Sequence, residues 1–329
     1  MKRRFLLSVG AALGCRALSG WAQAPVGKPR VGLMFFGSNP SSAEPESERG
    51  YVLGLREWGY VPGQNIVIER RYANGQPERL AAQAAELVQM KVDVILASGP
   101  APREAASRAT RAVPIVAVGG SDPVQEGWAV SLAHPGGNQT GLTVTMPELG
   151  AKHLELLKSA FPQTQRIAML FAPNDLLNAH DMVRVLGVDA QRLGLSVQAL
   201  EIRRPADIDA AFSLARQHKA QACYAIATNL VVTNRSRIAA LAIQDRLPSI
   251  SEFPWMAQAG FLMAYGADLE DLQRRSIGHL DKILKGARAG DLPIERPTKL
   301  QLTVNLATAR QLGIVVPQSL LLRADEVIQ

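Results

Sequence analysis

Cysteine is nearly absent from these 329 residues: there are two, Cys15 and Cys223. Aromatic residues make up only 5%. A disulfide-stapled scaffold is therefore excluded, and Cys223, inside the apolar run Ala222-Cys223-Tyr224-Ala225-Ile226, reads as a small core residue rather than a nucleophile. No stretch beyond the N-terminal region approaches the ~20 uninterrupted apolar residues of a membrane-spanning helix. The five histidines, at 134, 153, 180, 218 and 279, show no paired metal-ligand spacing, so no metal is expected and they read as surface or packing residues. The spacings G-x-x-x-x-G-K-[ST], G-x-G-x-x-G after a strand, H-E-x-x-H and G-x-S-x-G are all missing, which removes the usual nucleotide-binding, metalloprotease and hydrolase chemistries. Gly136-Gly137-Asn138-Gln139-Thr140-Gly141 is glycine-rich but wrongly spaced, and reads as a turn. An enzyme is not expected.

What is present begins with a leader pattern. Lys2, Arg3 and Arg4 precede an apolar run from Phe5 to Leu13, and Ala22-Gln23-Ala24 offers small residues for cleavage, so residues 1–24 are expected to be a secretory signal peptide. Two other readings stay open: Leu13-Gly14-Cys15 resembles a lipoprotein processing site, and Arg3-Arg4 a twin-arginine signal. The net charge of +7 is largely a property of this segment, whose four cations and no acid leave only +3 on the remainder. Later cations are interspersed with acids, as in Glu201-Ile202-Arg203-Arg204, which suits solvated helix faces and argues against nucleic acid as a partner.

About 305 residues then remain, more than one core usually serves, so two lobes are expected. Runs rich in β-branched residues at Val31–Phe36, Ile66–Tyr72, Val92–Ala97 and Ile115–Val118 alternate with helical stripes such as Tyr51, Val52, Leu55, Trp58. The alternation restarts after residue 150, with strands predicted at Ile167–Phe171, Ser196–Leu200 and Ala222–Ala227 and helices between them. This implies an α/β fold of two doubly wound parallel-sheet lobes, with ligand at the carboxyl ends of the strands. The loops to inspect are Gly37-Ser38, Ser98-Gly99-Pro100-Ala101, Gly119-Gly120-Ser121-Asp122-Pro123, Asn174-Asp175 and Thr228-Asn229.

Specific residues add a resemblance. Leu55-Arg56-Glu57-Trp58-Gly59-Tyr60-Val61-Pro62-Gly63-Gln64-Asn65, Ser121-Asp122-Pro123-Val124, Pro135 to Gly141, Leu284-Lys285-Gly286, Pro297-Thr298-Lys299 and Leu322 to Ile328 together resemble the ABC transporter substrate-binding family, whose relatives include tryptophan- and tyrosine-binding receptors. The resemblance implies a type I periplasmic-binding-protein fold with three crossovers, near Thr143–Pro147, Phe261–Tyr265 and Leu292–Lys299. Lobe 1 would comprise 25–146 plus 261–292, and lobe 2 147–260 plus 293–329. It further implies a periplasmic, monomeric receptor without cofactor, binding a small molecule and delivering it to an inner-membrane ABC permease with its ATPase. A sensor that presents its closed form to a membrane receptor is the alternative.

An amino acid or related carboxylate is the expected ligand. Ser98, Gly99, Pro100 and Ala101 open a helix, where backbone N–H groups and a hydroxyl can take a carboxylate; the plain alternative is an ordinary turn. Gly120, Ser121 and Asp122 offer a partner for an ammonium, or simply cap the next helix. Glu252 and Asp268 compete for the ammonium. Phe253 and Tyr265, with Trp255, offer apolar or aromatic walls, or core packing. Gly37, Ser38, Thr145, Asn174, Thr228 and Asn229 complete the expected ligand-binding set.

Overall fold

The computed structural model describes residues 27–37, 46–120, 122–144, 148–175 and 179–329. The expected leader with Cys15, and the expected site residues Ser38, Ser121 and Thr145, lie outside the described residues. In chain order the first half runs β1 (Arg30–Phe35), α1 (Arg49–Glu57), β2 (Val67–Tyr72), α2 (Pro77–Gln89), β3 (Val94–Ser98), α3 (Pro100–Ala109), β4 (Ile115–Val118) and β5 (Gln139–Leu142). The second half runs α4 (Leu149–Ala160), β6 (Arg166–Phe171), α5 (Ala179–Arg192), β7 (Ser196–Glu201), α6 (Asp207–Gln217), β8 (Ala222–Ala225), α7 (Asn229–Thr233), α8 (Arg235–Gln244), β9 (Ser249–Ser251) and α9 (Pro254–Gln258). It ends with β10 (Met263–Ala267), α10 (Leu269–Leu284), β11 (Leu300–Asn305), α11 (Leu306–Leu312), α12 (Gln318–Leu321) and β12 (Glu326–Ile328).

The strands form two sheets, β2-β1-β3-β4-β5 and β12-β11-β10-β9-β8-β6-β7, one per lobe. All described pairings are parallel except β10 with β11. Both faces of each sheet are covered, as the continuous apolar runs require. In the first sheet Val31, Leu33, Val94, Leu96 and Val116 pack with Tyr51, Leu55, Ile277 and Leu280 of α1 and α10. Their neighbours Met34, Ile95 and Ile115 point the other way, onto Leu80, Ala84, Leu87 and Ala106 of α2 and α3. The second sheet repeats this: Ile167, Met169 and Tyr224 meet α4 and α5, while Ala168, Leu170 and Cys223 meet α6 and α8. Each such buried aliphatic side chain contributes ~1.5–3 kcal/mol from the area it withdraws from water.

The chain passes between sheets at three places. β5 leads through 143–148 into α4 of the second lobe. β10 is paired with β9 and β11 in the second sheet, whereas α10 packs on α1 and β4 of the first lobe, so the return falls at Asp268. Sequence alone places this return at 261–265, and assigns 261–267 to the first lobe; ladder hydrogen bonds to β9 and β11 hold 263–267 in the second sheet instead. The last passage runs from Glu295, bridged to Leu142, to β11. Each passage joins the carboxyl-end side of one sheet to that of the other, so these two ends face each other, where ligands of open α/β sheets bind.

No helix among the described residues is long and apolar enough to cross a membrane, and no group of three His, Cys, Asp or Glu there is placed to hold a metal ion.

Candidate ligand-binding site

The carboxyl end of the first sheet brings together Gly37, Ser98, Gly99, Pro100, Ala101 and Gly120, from the ends of β1, β3 and β4. Gly99 and Gly120 have φ of 97° and 94°, in the region that favours glycine. Gly99 N–H donates to the Val118 carbonyl at 2.8 Å, which ties the two strand ends together. Gly99 is the N-cap of α3, and Pro100 and Pro102 occupy its first turn. Proline has no N–H, and the amide of Arg103 donates to Gly99, so Ala101 supplies the only N–H among the first three helical residues. The anion-binding capacity expected of this helix start is thus reduced to one amide beside the Ser98 hydroxyl. Behind it lies the buried phenol of Tyr51, which burial pushes up, with Ser98 acting in the opposite direction. That phenol makes no hydrogen bond of ordinary geometry.

Asp122 is engaged locally. Its Oδ1 accepts the amides of Val124 and Gln125 at 2.9 and 3.1 Å. Asp268 likewise caps α10, accepting the Asp271 amide at 3.0 Å. Both carboxylates therefore serve the turns they sit in, which for Asp122 is the plainer of the two roles its sequence context allows.

The second sheet's carboxyl end collects Asn174, Thr228, Asn229, Glu252 and Phe253. Glu252, half-buried just past β9, differs from both aspartates because its donors come from distant parts of the chain. Tyr224 Oη donates to Oε1 at 3.0 Å and the Ala227 amide to Oε2 at 2.6 Å; Ser251 Oγ, whose proton goes to the Ala225 carbonyl at 2.6 Å, lies 3.1 Å from Oε2. Burial pushes the Glu252 carboxyl up to about 7, against the pull of those donors. Every fully buried acid among the described residues meets a cation: Glu48 meets Arg70, Asp271 meets Arg274 and Asp281 meets Lys285. Glu252 meets none of the described cations. Gly266 on β10 makes room for it, since a Cβ there would sit 1.9 Å from the Glu252 carbonyl oxygen.

At the same sheet end lie His153, which sequence reads only as a surface or packing residue, and several members of the expected ligand-binding set. His153, on α4, is fully buried, meets the Tyr265 carbonyl through Nε2, and packs at 5.0 Å against the Tyr224 ring. Burial lowers its pKa to about 4, so the imidazole is neutral and its other nitrogen, Nδ1, has no partner. Tyr265 lies within β10, its ring edge-on to His153. Phe253 stacks on Trp255 at 5.2 Å, and the Arg235 guanidinium lies 5.7 Å over Trp255, giving a three-membered ladder. Thr228 is 5% exposed, makes no capping hydrogen bond to α7, and its hydroxyl has no partner. Asn229 follows it, and Asn174 lies exposed in a 3-10 turn after β6. No pattern in the sequence brings Tyr224 to Glu252, because the pairing is set by the β8–β9 register.

Residues 31–328 match the family model for the ABC transporter substrate binding protein. The tyrosine-binding protein of Clostridioides difficile is 26% identical over 270 residues, covering 82% of this chain and 77% of that protein. A crystal structure of a conserved domain protein from Vibrio cholerae aligns with TM-score 0.82 at 25% identity, over 92% of this chain and all of that one. A Streptococcus pneumoniae domain solved in complex with L-Trp aligns with TM-score 0.82 at 24% identity, over the same shares. The leucine-binding protein of Thermotoga maritima, a type I periplasmic binding protein, shares the fold at 14% identity, with TM-score 0.60 over 84% of this chain and 95% of that one. A match from β1 to β12 covers every strand described above, and the chain belongs to the ABC transporter substrate-binding protein family.

Proposed function

We propose that the protein captures an α-amino acid between its two lobes and delivers it, from outside the cytoplasmic membrane, to an ABC permease with its ATPase. Glu252 carries this reading. A half-buried carboxylate that meets no cation among the described residues is costly to hold, and a bound ammonium group offsets that cost. Ser98 Oγ and the Ala101 amide, on the opposite sheet end, suit the ligand carboxylate. The Phe253–Trp255 ladder and the relatives named for tyrosine and L-Trp favour an aromatic side chain on that amino acid.

The test begins with mass spectrometry of ligand released from natively purified protein, followed by titration calorimetry with the twenty amino acids. Glu252→Gln should weaken the best binder by about 30-fold or more, since removing one partner of a desolvated charge pair costs ~2–5 kcal/mol. Affinity unchanged within threefold would remove Glu252 from the site. Binding of a sugar or an anion in place of any amino acid would overturn the ligand class.

A further inference from the structure

We infer that Thr228 is the residue through which this receptor selects a primary ammonium group over an N-alkylated one. The inference rests on the reading of Glu252 as the ammonium partner, and starts from counting lone pairs. A carboxylate offers about four acceptor sites, two per oxygen. Oε2 of Glu252 has one site taken by the Ala227 amide, since the single Ser251 proton goes to the Ala225 carbonyl at 2.6 Å, and Oε1 has one site taken by Tyr224. One acceptor site remains on each oxygen, two in all. A primary ammonium brings three N–H donors, so at least one further acceptor has to lie beside Glu252.

Thr228 supplies it. Its neighbour Ala227 is the residue whose amide holds Oε2, and the Thr228 amide turns back onto the Ile226 carbonyl at 2.7 Å, so the three residues form a tight corner around the carboxylate. The Thr228 side chain is 5% exposed and heads a helix without capping it, and its hydroxyl has no partner. An unmet buried hydroxyl is costly, and the fold offers it nothing. Of the other buried side-chain atoms without partners, His153 Nδ1 is sealed in the core, while Gln83 lies on α2 and Gln198 on the edge strand β7. Tyr51 belongs to the opposite sheet end. Of these unpartnered atoms among the described residues, only that of Thr228 belongs to the corner at Glu252. The Thr228 oxygen accepts the N–H of a primary ammonium that Glu252 leaves unmet. A dimethylated ammonium has only one N–H, which Glu252 satisfies, and gains nothing from Thr228.

The experiment compares wild type, Thr228→Val and Thr228→Ser by calorimetry, using the tightest-binding of the twenty amino acids and its N,N-dimethyl derivative. Thr228→Val should weaken the primary amine by about 10- to 100-fold, the range for a lost hydrogen bond to a charged group, and leave the dimethyl derivative within threefold. Thr228→Ser should retain both affinities. The unliganded valine variant should melt no lower than wild type, because the hydroxyl it removes has no partner in the fold. Equal weakening of both ligands, or no weakening of either, overturns the inference while leaving Glu252 in place. If wild type binds no amino acid, the reading of Glu252 falls and this inference with it.

Discussion

Glu252 and His153 are tied to each other through Tyr224 and titrate in opposite senses. The folded-state pKa of Glu252 is raised, from the ordinary 4.5 to about 7, so its contribution to stability is fully present below pH 4.5 and is lost as pH rises through 7. His153 is lowered from 6.5 to about 4, so its contribution is present above pH 6.5 and lost as pH falls through 4. Between pH 4.5 and 6.5 the two slopes oppose each other. Glu252→Gln removes one of them: with its amide nitrogen toward Tyr224, whose hydroxyl can turn to accept, and its oxygen toward Ala227 and Ser251, the glutamine keeps its partners. In thermal melts without ligand, the variant should match wild type near pH 4.5 and exceed it at pH 8, by roughly 3 kcal/mol at most. A variant less stable than wild type at pH 8 would show that the carboxylate is structural and not held at a cost. The same mutation should weaken ligand binding, so stability and function move apart at one residue. Some of this site is legible in the sequence and some is not. Two prolines among Pro100, Ala101 and Pro102 already limit the amides available to an anion. The local role of Asp122 is legible as an alternative, whereas the cap that Asp268 makes on α10 is not read from the sequence. The special standing of Glu252 is not, because Tyr224 and Ala227 reach it from 28 and 25 residues away.

At the scale of elements, the alternation of strand and helix is legible because parallel strands buried on both faces leave uninterrupted apolar runs. β10, which contains Gly266, and the antiparallel β11 are not, since their place is fixed by pairing partners rather than by their own pattern. Close packing of α1 on α10 is equally silent in hydrophobic periodicity, yet depends on two glycines one turn apart. A Cβ at Gly50 would stand 2.2 Å from the Glu270 carbonyl oxygen, and one at Gly54 2.5 Å from that of Arg274; backbone atoms cannot yield as a side-chain end can. Gly187 within α5 has nothing within 4 Å of its would-be Cβ. Helix propensity favours alanine over glycine by ~0.8–1 kcal/mol in both helices, so the surroundings decide the sign. Gly54→Ala should destabilise by ~1–3 kcal/mol through overpacking, and Gly187→Ala should stabilise by up to ~1 kcal/mol. Denaturant midpoints of the two variants check this, and equal shifts would mean that α1 rests less tightly on α10 than the geometry indicates.

At the scale of the molecule, the third passage between lobes is fastened to the first lobe chiefly by one side chain. Arg275 of α10 donates to the Arg296 carbonyl at 3.3 Å and to Thr298 Oγ1 at 3.1 Å, and pairs with Glu295 and, at 3.6 Å, with Asp271. Glu295 in turn exchanges backbone hydrogen bonds of 3.0 Å with Gly141 and Thr143 at the end of β5. His279 meets the Pro293 carbonyl at 2.9 Å. Residues 293–298 are therefore fastened to the first lobe, and in the second and third passages the backbone left to rotate narrows to Asp268 and Lys299. Hinge motions concentrate in such short element-terminal positions. Arg275→Ala releases 295–298 and lengthens the third hinge, enlarging the open ensemble that a ligand has to draw closed. Apparent affinity falls in proportion to the competent fraction, so a drop of about threefold to tenfold is expected without any change in a ligand contact. Small-angle scattering should show a larger radius of gyration for the unliganded variant and the wild-type value at saturating ligand. A variant whose unliganded radius and affinity both match wild type would show that Arg275 does not limit rotation between the lobes.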